Sequence, residues 1–193
     1  MSKTRIAYGN DPFQFGDLRV PGESGPHPIA IVIHGGFWRA KYDLEYIGPV
    51  CDALTAAGIA TWNLEYRRLG NPGGGWPGTL DDVAAGADHL GSIGAQFNLD
   101  LNRVISVGHS AGGHLALWVA FRKKLLTGAI SLAGVVDLRR AWELHLSNNV
   151  VADFLGGSPD QVPDRYDFAS PFEHLPLGIP QKLFHGTADE SVP

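Results

Sequence analysis

Cysteine and methionine are almost absent from this sequence, which contains one of each, Cys51 and Met1, in 193 residues. A lone cysteine excludes an intramolecular disulfide framework and a cysteine-based metal cluster. Charge is also sparse, since 18% of the residues are charged and the formal net charge is −5. We therefore expect neither nucleic acid nor an anionic membrane as a partner, because both favour a basic surface.

Long apolar runs are lacking as well. No segment approaches the roughly 20 residues that a helix needs to span a bilayer. The opening residues Met1-Ser2-Lys3-Thr4-Arg5 lead into polar sequence, not into the apolar core of a signal peptide. We therefore expect a cytoplasmic protein without a membrane anchor. The chain is 44% hydrophobic, enough for one sizeable core, and we predict a single domain over residues 1–193.

Short apolar runs alternate with segments of helical periodicity. We predict strands at residues 29–33, 59–64, 104–107, 129–132 and 183–184, and helices at residues 44–57, 79–97 and after 110. Thr79 is the predicted N-cap of its helix, and the Gly/Pro/Asp-rich residues 156–180 are predicted to contain short helices at most. Such alternation is typical of an α/β fold with a mostly parallel sheet and helices on both faces.

The most informative motif is Gly108-His109-Ser110-Ala111-Gly112, which directly follows one predicted strand and directly precedes a predicted helix. A serine at a sharp strand-to-helix turn, with glycines that leave room for the strain, is typical of a nucleophile elbow. We predict a positive φ angle at Ser110 and an exposed hydroxyl that acts as the nucleophile of acyl transfer.

A second motif, His34-Gly35-Gly36-Phe37-Trp38, follows the predicted strand at residues 29–33. Glycines let backbone N–H groups approach a developing negative oxygen closely. We predict that the N–H groups of Gly36 or Phe37, together with that of Ala111, form an oxyanion hole.

A third motif, residues 185–193, follows the last predicted strand and contains two neighbouring acids. An acid on a loop after a late strand occupies the place of the residue that orients a catalytic histidine. Asp189 is our candidate and Glu190 the weaker one. Asp137, which follows an earlier strand, is the competitor.

With these motifs the chain resembles the α/β-hydrolase superfamily and, within it, the H-G-G-x-W esterases and kynurenine formamidases (arylformamidases). The resemblance covers nearly the whole chain. Weaker agreement comes from Glu65-Tyr66-Arg67, Asp81-Asp82-Val83, residues 134–138 and Ala169-Ser170-Pro171. The resemblance implies that Ser110 is the nucleophile and Asp189 the triad acid. It also implies that Gly36, Phe37 and Ala111 form the oxyanion hole, and that no metal or cofactor is needed.

In this fold the catalytic histidine follows the acid in the chain order serine, acid, histidine, but no histidine follows Asp189. Of the eight histidines, we expect His34 to belong to the oxyanion loop and His109 and His114 to flank the nucleophile without facing its hydroxyl. We expect His185 to hold the acid loop, His27 and His89 to lie at the surface, and His145 and His174 to lie near the pocket. No base can be assigned, and we expect a chain that is incomplete at its C-terminus and lacks the last strand and helices.

Three functions remain open from the sequence. The first is a carboxylic-ester hydrolase that acts through an acyl-enzyme, and the second is an arylformamidase acting on N-formylkynurenine. The third is an inactive fragment or a hydrolase-like binding protein that lacks its base. The expected partner is a small-molecule ester or formamide, and a homo-oligomer is conceivable. Trp38, Trp76 and Trp142, with Phe37, are candidates for an apolar substrate pocket, although tryptophan is equally common in cores.

Overall fold

A mixed β-sheet dominates the computed structural model, which describes residues 2–122 and 125–193. Met1, Lys123 and Lys124, which fall within the predicted domain, lie outside the described residues. Over the described ranges the sheet has seven strands in the order β1-β2-β4-β3-β5-β6-β7. The strands are β1 Ser2–Ala7, β2 Phe15–Val20, β3 His27–Ile33, β4 Ala60–Leu64, β5 Leu99–His109, β6 Gly128–Leu132 and β7 Gln181–Phe184.

The five strands from β4 to β7 in the sheet are parallel, whereas β1 and β2 pair antiparallel at the other edge. Strand β3 lies in the middle and is apolar on both faces. Its residues Ile29, Ile31 and Ile33 pack into one hydrophobic cluster, and Ala30 and Val32 pack into a second. A strand buried on both sides needs this near-continuous apolar sequence.

Helices cover both faces of the sheet. They are α1 Gly48–Ala56, α2 Gly78–Ile93, α3 Ala111–Arg122, α4 Leu138–Glu143, α5 Val150–Leu155 and α6 Pro163–Ala169, with 3-10 turns at Leu44–Ile47 and Pro171–His174. Helix α1 contributes Cys51 to the cluster with Val32, whereas α2 and α3 contribute Val83 and Leu115 to the cluster with Ile31. The predicted α/β class, with a mostly parallel sheet between two helical layers, is confirmed.

Strands β1 and β2 were not predicted, because their sequences are polar. Asp17 of β2 is buried, and both of its carboxylate oxygens accept hydrogen bonds from Arg5 of β1, at 2.8 and 3.0 Å. Because the two charged side chains pair with each other, they can occupy positions within strands. A prediction from hydrophobic pattern does not detect such strands. The short helices α4 and α5 were also missed, since helices of this length depend on packing more than on local sequence.

The predicted cap of α2 is wrong. The helix begins at Gly78 and its N-cap is Pro77. Thr79 lies inside the first turn, where its hydroxyl donates to the carbonyl of Arg67 and accepts from the N–H of Gly75. The hydroxyl therefore ties the preceding loop to the helix instead of capping it.

Candidate active site

Ser110 lies at the turn between β5, which ends at His109, and α3, which begins at Ala111. Its φ angle is 56°, in the left-handed region. The Ser110 N–H donates to the carbonyl of Leu132 on β6 at 2.9 Å, which anchors the strained turn at the carboxyl end of the parallel strands. The predicted strand-to-helix turn with positive φ is confirmed.

The glycines around Ser110 are required by close backbone contacts. A Cβ atom on Gly108 would lie 2.0 Å from the carbonyl oxygen of Gly112, and one on Gly112 would lie 2.1 Å from the carbonyl oxygen of Ile33. No side chain fits at such distances. The turn therefore packs directly onto its own helix and onto the end of β3.

The segment His34–Trp38, which we call the oxyanion loop, follows β3 and lies against this turn. Gly36, Phe37 and Trp38 have φ angles of 110°, 50° and 55°. A Cβ atom on Gly35 would lie 3.1 Å from the Ser110 Cβ and 2.6 Å from the His109 carbonyl oxygen. The absence of a side chain at Gly35 thus allows the loop and the serine turn to meet.

Loop and turn share one cavity of about 190 Å³, which we call the Ser110 cavity. It is lined by Gly36, Phe37, Tyr42, Tyr46, His109, Ser110 and Ser191. The rings of one phenylalanine and two tyrosines supply apolar walls, while two serine hydroxyls, one imidazole and two phenol hydroxyls supply polar groups. A cavity of this kind suits a small molecule that has both apolar and polar parts.

His109 lies on this cavity. It is the last residue of β5, directly before the turn that carries Ser110. The Tyr46 hydroxyl lies 3.4 Å from the His109 Nδ1 atom. Burial lowers the pKa of His109, and the Asp189 carboxylate opposes this effect. The shift favours the neutral imidazole.

The loop of residues 185–193, which we call the acid loop, follows β7 and carries Asp189. One Asp189 oxygen accepts hydrogen bonds from the N–H groups of Val192 and Ser191, at 3.0 and 2.9 Å. These two bonds lower the pKa of Asp189, with smaller contributions from His185 and His109. The carboxylate is thus ionised, and Ser191 of the same loop lines the Ser110 cavity.

The two other candidate acids have different surroundings. Asp137 is the N-cap of α4, and its side chain accepts from the N–H of Arg140 at 2.9 Å. Glu190 is exposed and lines a neighbouring cavity that also includes Phe37 and His145. Capping of α4 accounts for Asp137, whereas Asp189 shares its loop with Ser191, which lines the Ser110 cavity.

All eight histidines fall within the described residues, and none of them makes a hydrogen bond to the Ser110 hydroxyl. The expected surface positions are wrong for His27, which is buried, and for His89, which is half-buried with its ring 6.2 Å from that of Trp62. His145 is exposed, and His174 stacks on Phe121.

The three candidate pocket tryptophans do not line the Ser110 cavity. Trp38 is completely buried and stacks on Phe154 with ring centroids 4.7 Å apart. Trp76 packs edge-on against Phe168, and Trp142 lies half-buried on α4. The left-handed backbone at Trp38 turns its indole into the core, away from Ser110.

Tyr42 and Tyr46 line the Ser110 cavity in place of the three tryptophans, and none of the sequence motifs contains them. Both are large side chains that stay 39% and 55% exposed. They follow the oxyanion loop within a polar stretch of residues 39–46. Aromatic residues in polar sequence beside a catalytic motif are the signal that indicates them.

Within residues 2–122 and 125–193, no group of three or more histidine, cysteine, aspartate or glutamate side chains is arranged to hold a metal ion. Over the same ranges, no helix combines the length and the apolar character needed to cross a bilayer.

Comparison with known proteins matches residues 17–193 to the BD-FAE family. The chain is 27% identical to the esterase LipC of Mycobacterium tuberculosis over 211 residues, which cover 99% of this chain and 52% of the relative. It is 32% identical to a kynurenine formamidase of Meyerozyma guilliermondii over 133 residues, which cover 66% of this chain and 46% of the relative. The chain thus spans about half the length of these curated relatives.

Among solved structures, a truncated form of a carbohydrate esterase from gut microbiota superimposes with a TM-score of 0.84 at 23% identity. The match covers 100% of this chain and 79% of that structure. At this identity the likeness shows a shared fold. The fold is that of the α/β-hydrolase esterases, as the resemblance of the motifs implied.

Proposed function

Since the chain belongs to the BD-FAE family of α/β-hydrolase esterases, we propose that it is the catalytic part of a serine hydrolase that cleaves a carboxylic ester of a small molecule. One observation carries the proposal. Ser110, at a strained turn, opens into the same cavity as Gly36 and Phe37 of the oxyanion loop. A nucleophile and a glycine-rich loop in one cavity are two of the parts that acyl transfer needs.

In the proposed reaction the Ser110 oxygen attacks the carbonyl carbon of the ester, and the carbonyl electron pair moves to its oxygen. Backbone N–H groups of Gly36 or Phe37 and of Ala111 hold that oxyanion. The C–O bond to the alcohol then breaks, the alcohol takes up a proton, and water hydrolyses the acyl-enzyme. This chemistry needs no metal or cofactor.

A general base must accept the Ser110 proton, and Asp189 is proposed to orient a histidine for this task. No described histidine side chain is hydrogen-bonded to the Ser110 hydroxyl, and His109 is the histidine that lines its cavity. Turnover by the 193-residue chain is therefore expected to be slow, because the loss of one triad member lowers the rate by orders of magnitude.

The walls of the Ser110 cavity support a substrate with a small apolar or aromatic group. Phe37, Tyr42 and Tyr46 surround a volume of about 190 Å³, which accommodates a short acyl group. A formamide is the second candidate substrate, and the relative named kynurenine formamidase favours it. A binding role without turnover is the third candidate, favoured because no histidine side chain among the described residues is hydrogen-bonded to the Ser110 hydroxyl.

The test is covalent labelling of Ser110 with a fluorophosphonate, read by peptide mass spectrometry, together with turnover of p-nitrophenyl acetate and N-formylkynurenine. We expect a label on Ser110 and slow ester turnover, both lost in Ser110→Ala while the circular dichroism spectrum is unchanged. The ratio of kcat/KM for the two substrates decides between esterase and formamidase. A folded chain that takes up no label and turns over neither substrate would favour the binding role.

A further inference from the structure

His34, the first residue of the oxyanion loop, is completely buried, and both of its ring nitrogens face oxygen atoms. Nδ1 lies 2.8 Å from the carbonyl oxygen of Gly35, and Nε2 lies 3.1 Å from Oε1 of Glu65. A carbonyl oxygen accepts hydrogen bonds and cannot donate one. Nδ1 must therefore carry a hydrogen.

The remaining question is whether Glu65 donates to His34 or accepts from it. Three other donors point at the same carboxylate. The N–H of Tyr66 and the guanidinium of Arg68 lie 3.0 and 3.1 Å from Oε1, and the N–H of Leu44 lies 3.1 Å from Oε2. A carboxyl group surrounded by donors is stabilised in its ionised form. Glu65 is thus an acceptor, and Nε2 of His34 must carry a hydrogen as well.

These contacts define a buried ion cluster of His34, Glu65 and Arg68, each at most 2% exposed. Two cations flank one carboxylate, which leaves one net positive charge. The ring of Tyr66 stacks on His34 with centroids 4.5 Å apart, and its hydroxyl donates to the His34 carbonyl oxygen at 2.7 Å. The groups that face His34 are thus one carboxylate, one phenol and, through Glu65, one guanidinium.

We propose that His34 is an imidazolium ion at neutral pH and that Glu65 and His34 act as positioning residues for the oxyanion loop. The Glu65 carboxylate joins the start of the loop, at His34, to Leu44 beyond its end and to the end of β4. The positive charge lies one residue before Gly35 and Gly36, in a region that excludes water. A fixed charge in such a place strengthens the stabilisation of a developing oxyanion.

The catalytic half of this inference rests on the proposed hydrolase function, whereas the charge on His34 does not. The charge is tested by ¹⁵N NMR of the histidine side chains in the wild-type chain at pH 7.5. The His34 ring is identified by its contacts with the Tyr66 ring. We expect both nitrogens of His34 to show the signals of protonated atoms. A signal of an unprotonated nitrogen would overturn the proposal, whatever the activity.

Glu65→Gln tests the link between the charge and its partner. We expect His34 to lose its second proton at pH 7.5 in this variant, because a neutral amide no longer stabilises the imidazolium. Asp82→Asn is the matched control, since Asp82 is also a buried carboxylate but binds Arg67 and Gln14. The control should leave the His34 signals unchanged. Equal His34 spectra in wild type and Glu65→Gln would contradict the proposal.

Kinetic measurements distinguish a positioning role of Glu65 in catalysis from a purely structural role. For the turnover that depends on Ser110, Glu65→Gln should lower kcat about ten-fold, less than the loss of a direct oxyanion donor, with KM nearly unchanged. Asp82→Asn should leave kcat unchanged. An unchanged kcat in Glu65→Gln would overturn the positioning role. Absence of any Ser110-dependent turnover in the wild type would overturn the proposed function and the positioning role together, while the NMR result still decides the charge.

Discussion

The indole N–H of Trp38 donates a hydrogen bond to Nδ1 of His114 at 3.2 Å. This bond ties the oxyanion loop to the first turn of α3, directly behind Ser110. The other ring nitrogen of His114 lies 2.9 Å from the carbonyl oxygen of Ala169 and donates to it. His114 is therefore a neutral imidazole with its proton on Nε2, and it joins three segments beneath the site.

The buried His114 predicts a loss of stability in acid. Burial lowers the pKa of His114 from 6.5 to about 4. Between pH 6.5 and about pH 4, His114 is protonated in the unfolded chain but stays neutral in the folded chain. The contribution of His114 to the free energy of unfolding is therefore complete above pH 6.5 and decreases as the pH falls to about 4. The expected loss in the free energy of unfolding is roughly 3 kcal/mol.

Urea denaturation at pH 7 and pH 4 measures this effect. His114→Gln should be less stable at pH 7 and should show a smaller difference between the two pH values than the wild type. His145→Gln, which replaces an exposed histidine, is the control and should keep the wild-type difference. The same pH difference in His114→Gln and wild type would show that another group is responsible.

The glycines of the serine turn predict a contrast between two substitutions to alanine. Gly112→Ala places a Cβ atom 2.1 Å from the Ile33 carbonyl oxygen, and it should cost several kcal/mol or prevent folding, about the upper range for single substitutions. Gly91→Ala lies within α2 with open space around the new atom. It should stabilise the chain by about 0.5–1 kcal/mol. Guanidinium denaturation measures both, and equal stability of the two variants would refute the packing argument.

The candidate acid is tested by comparing two aspartates. Asp189→Asn should lower the Ser110-dependent rate, but by less than the roughly 10⁴-fold that such an acid contributes in a complete triad, because effects within a triad are not additive. Asp137→Asn should leave both rate and stability nearly unchanged, since asparagine caps a helix as well as aspartate does. Rates of hydrolysis and of fluorophosphonate labelling are the measurements. A larger loss in Asp137→Asn would transfer the role of the acid to Asp137.

Strand β7 predicts self-association. Within the described residues β7 pairs with β6 on one side only, and Leu183 and Phe184 are each 58% exposed. An apolar edge strand is a template for pairing with another chain. We expect light scattering to show association that increases with protein concentration and weakens in Leu183→Lys. Leu144→Lys, at the C-cap residue of α4, which is 38% exposed and is not part of a strand, is the control, and an equal effect of both variants would exclude pairing through β7.

Local sequence was sufficient for the features that depend on neighbours along the chain. The apolar run of β3 predicts a strand buried on both faces, and the glycines around Ser110 predict a strained turn, because each depends on backbone sterics and hydrophobic pattern alone. The same holds for the position of Asp189 on the loop after the last strand. These elements account for the parallel part of the sheet and for the motif residues of the site.

Only the tertiary structure decided which side chains meet. Trp38 is an aromatic residue within a catalytic motif, which suggests a place in the substrate pocket. The left-handed backbone of its loop instead turns its side chain into the core, and Tyr42 and Tyr46 line the Ser110 cavity. The polar strand β1 exists because Arg5 meets Asp17, twelve residues away. Likewise, His34 and Glu65 lie 31 residues apart in the chain, and the charge that they share arises from burial and hydrogen bonds between distant segments, which no local pattern of residues encodes.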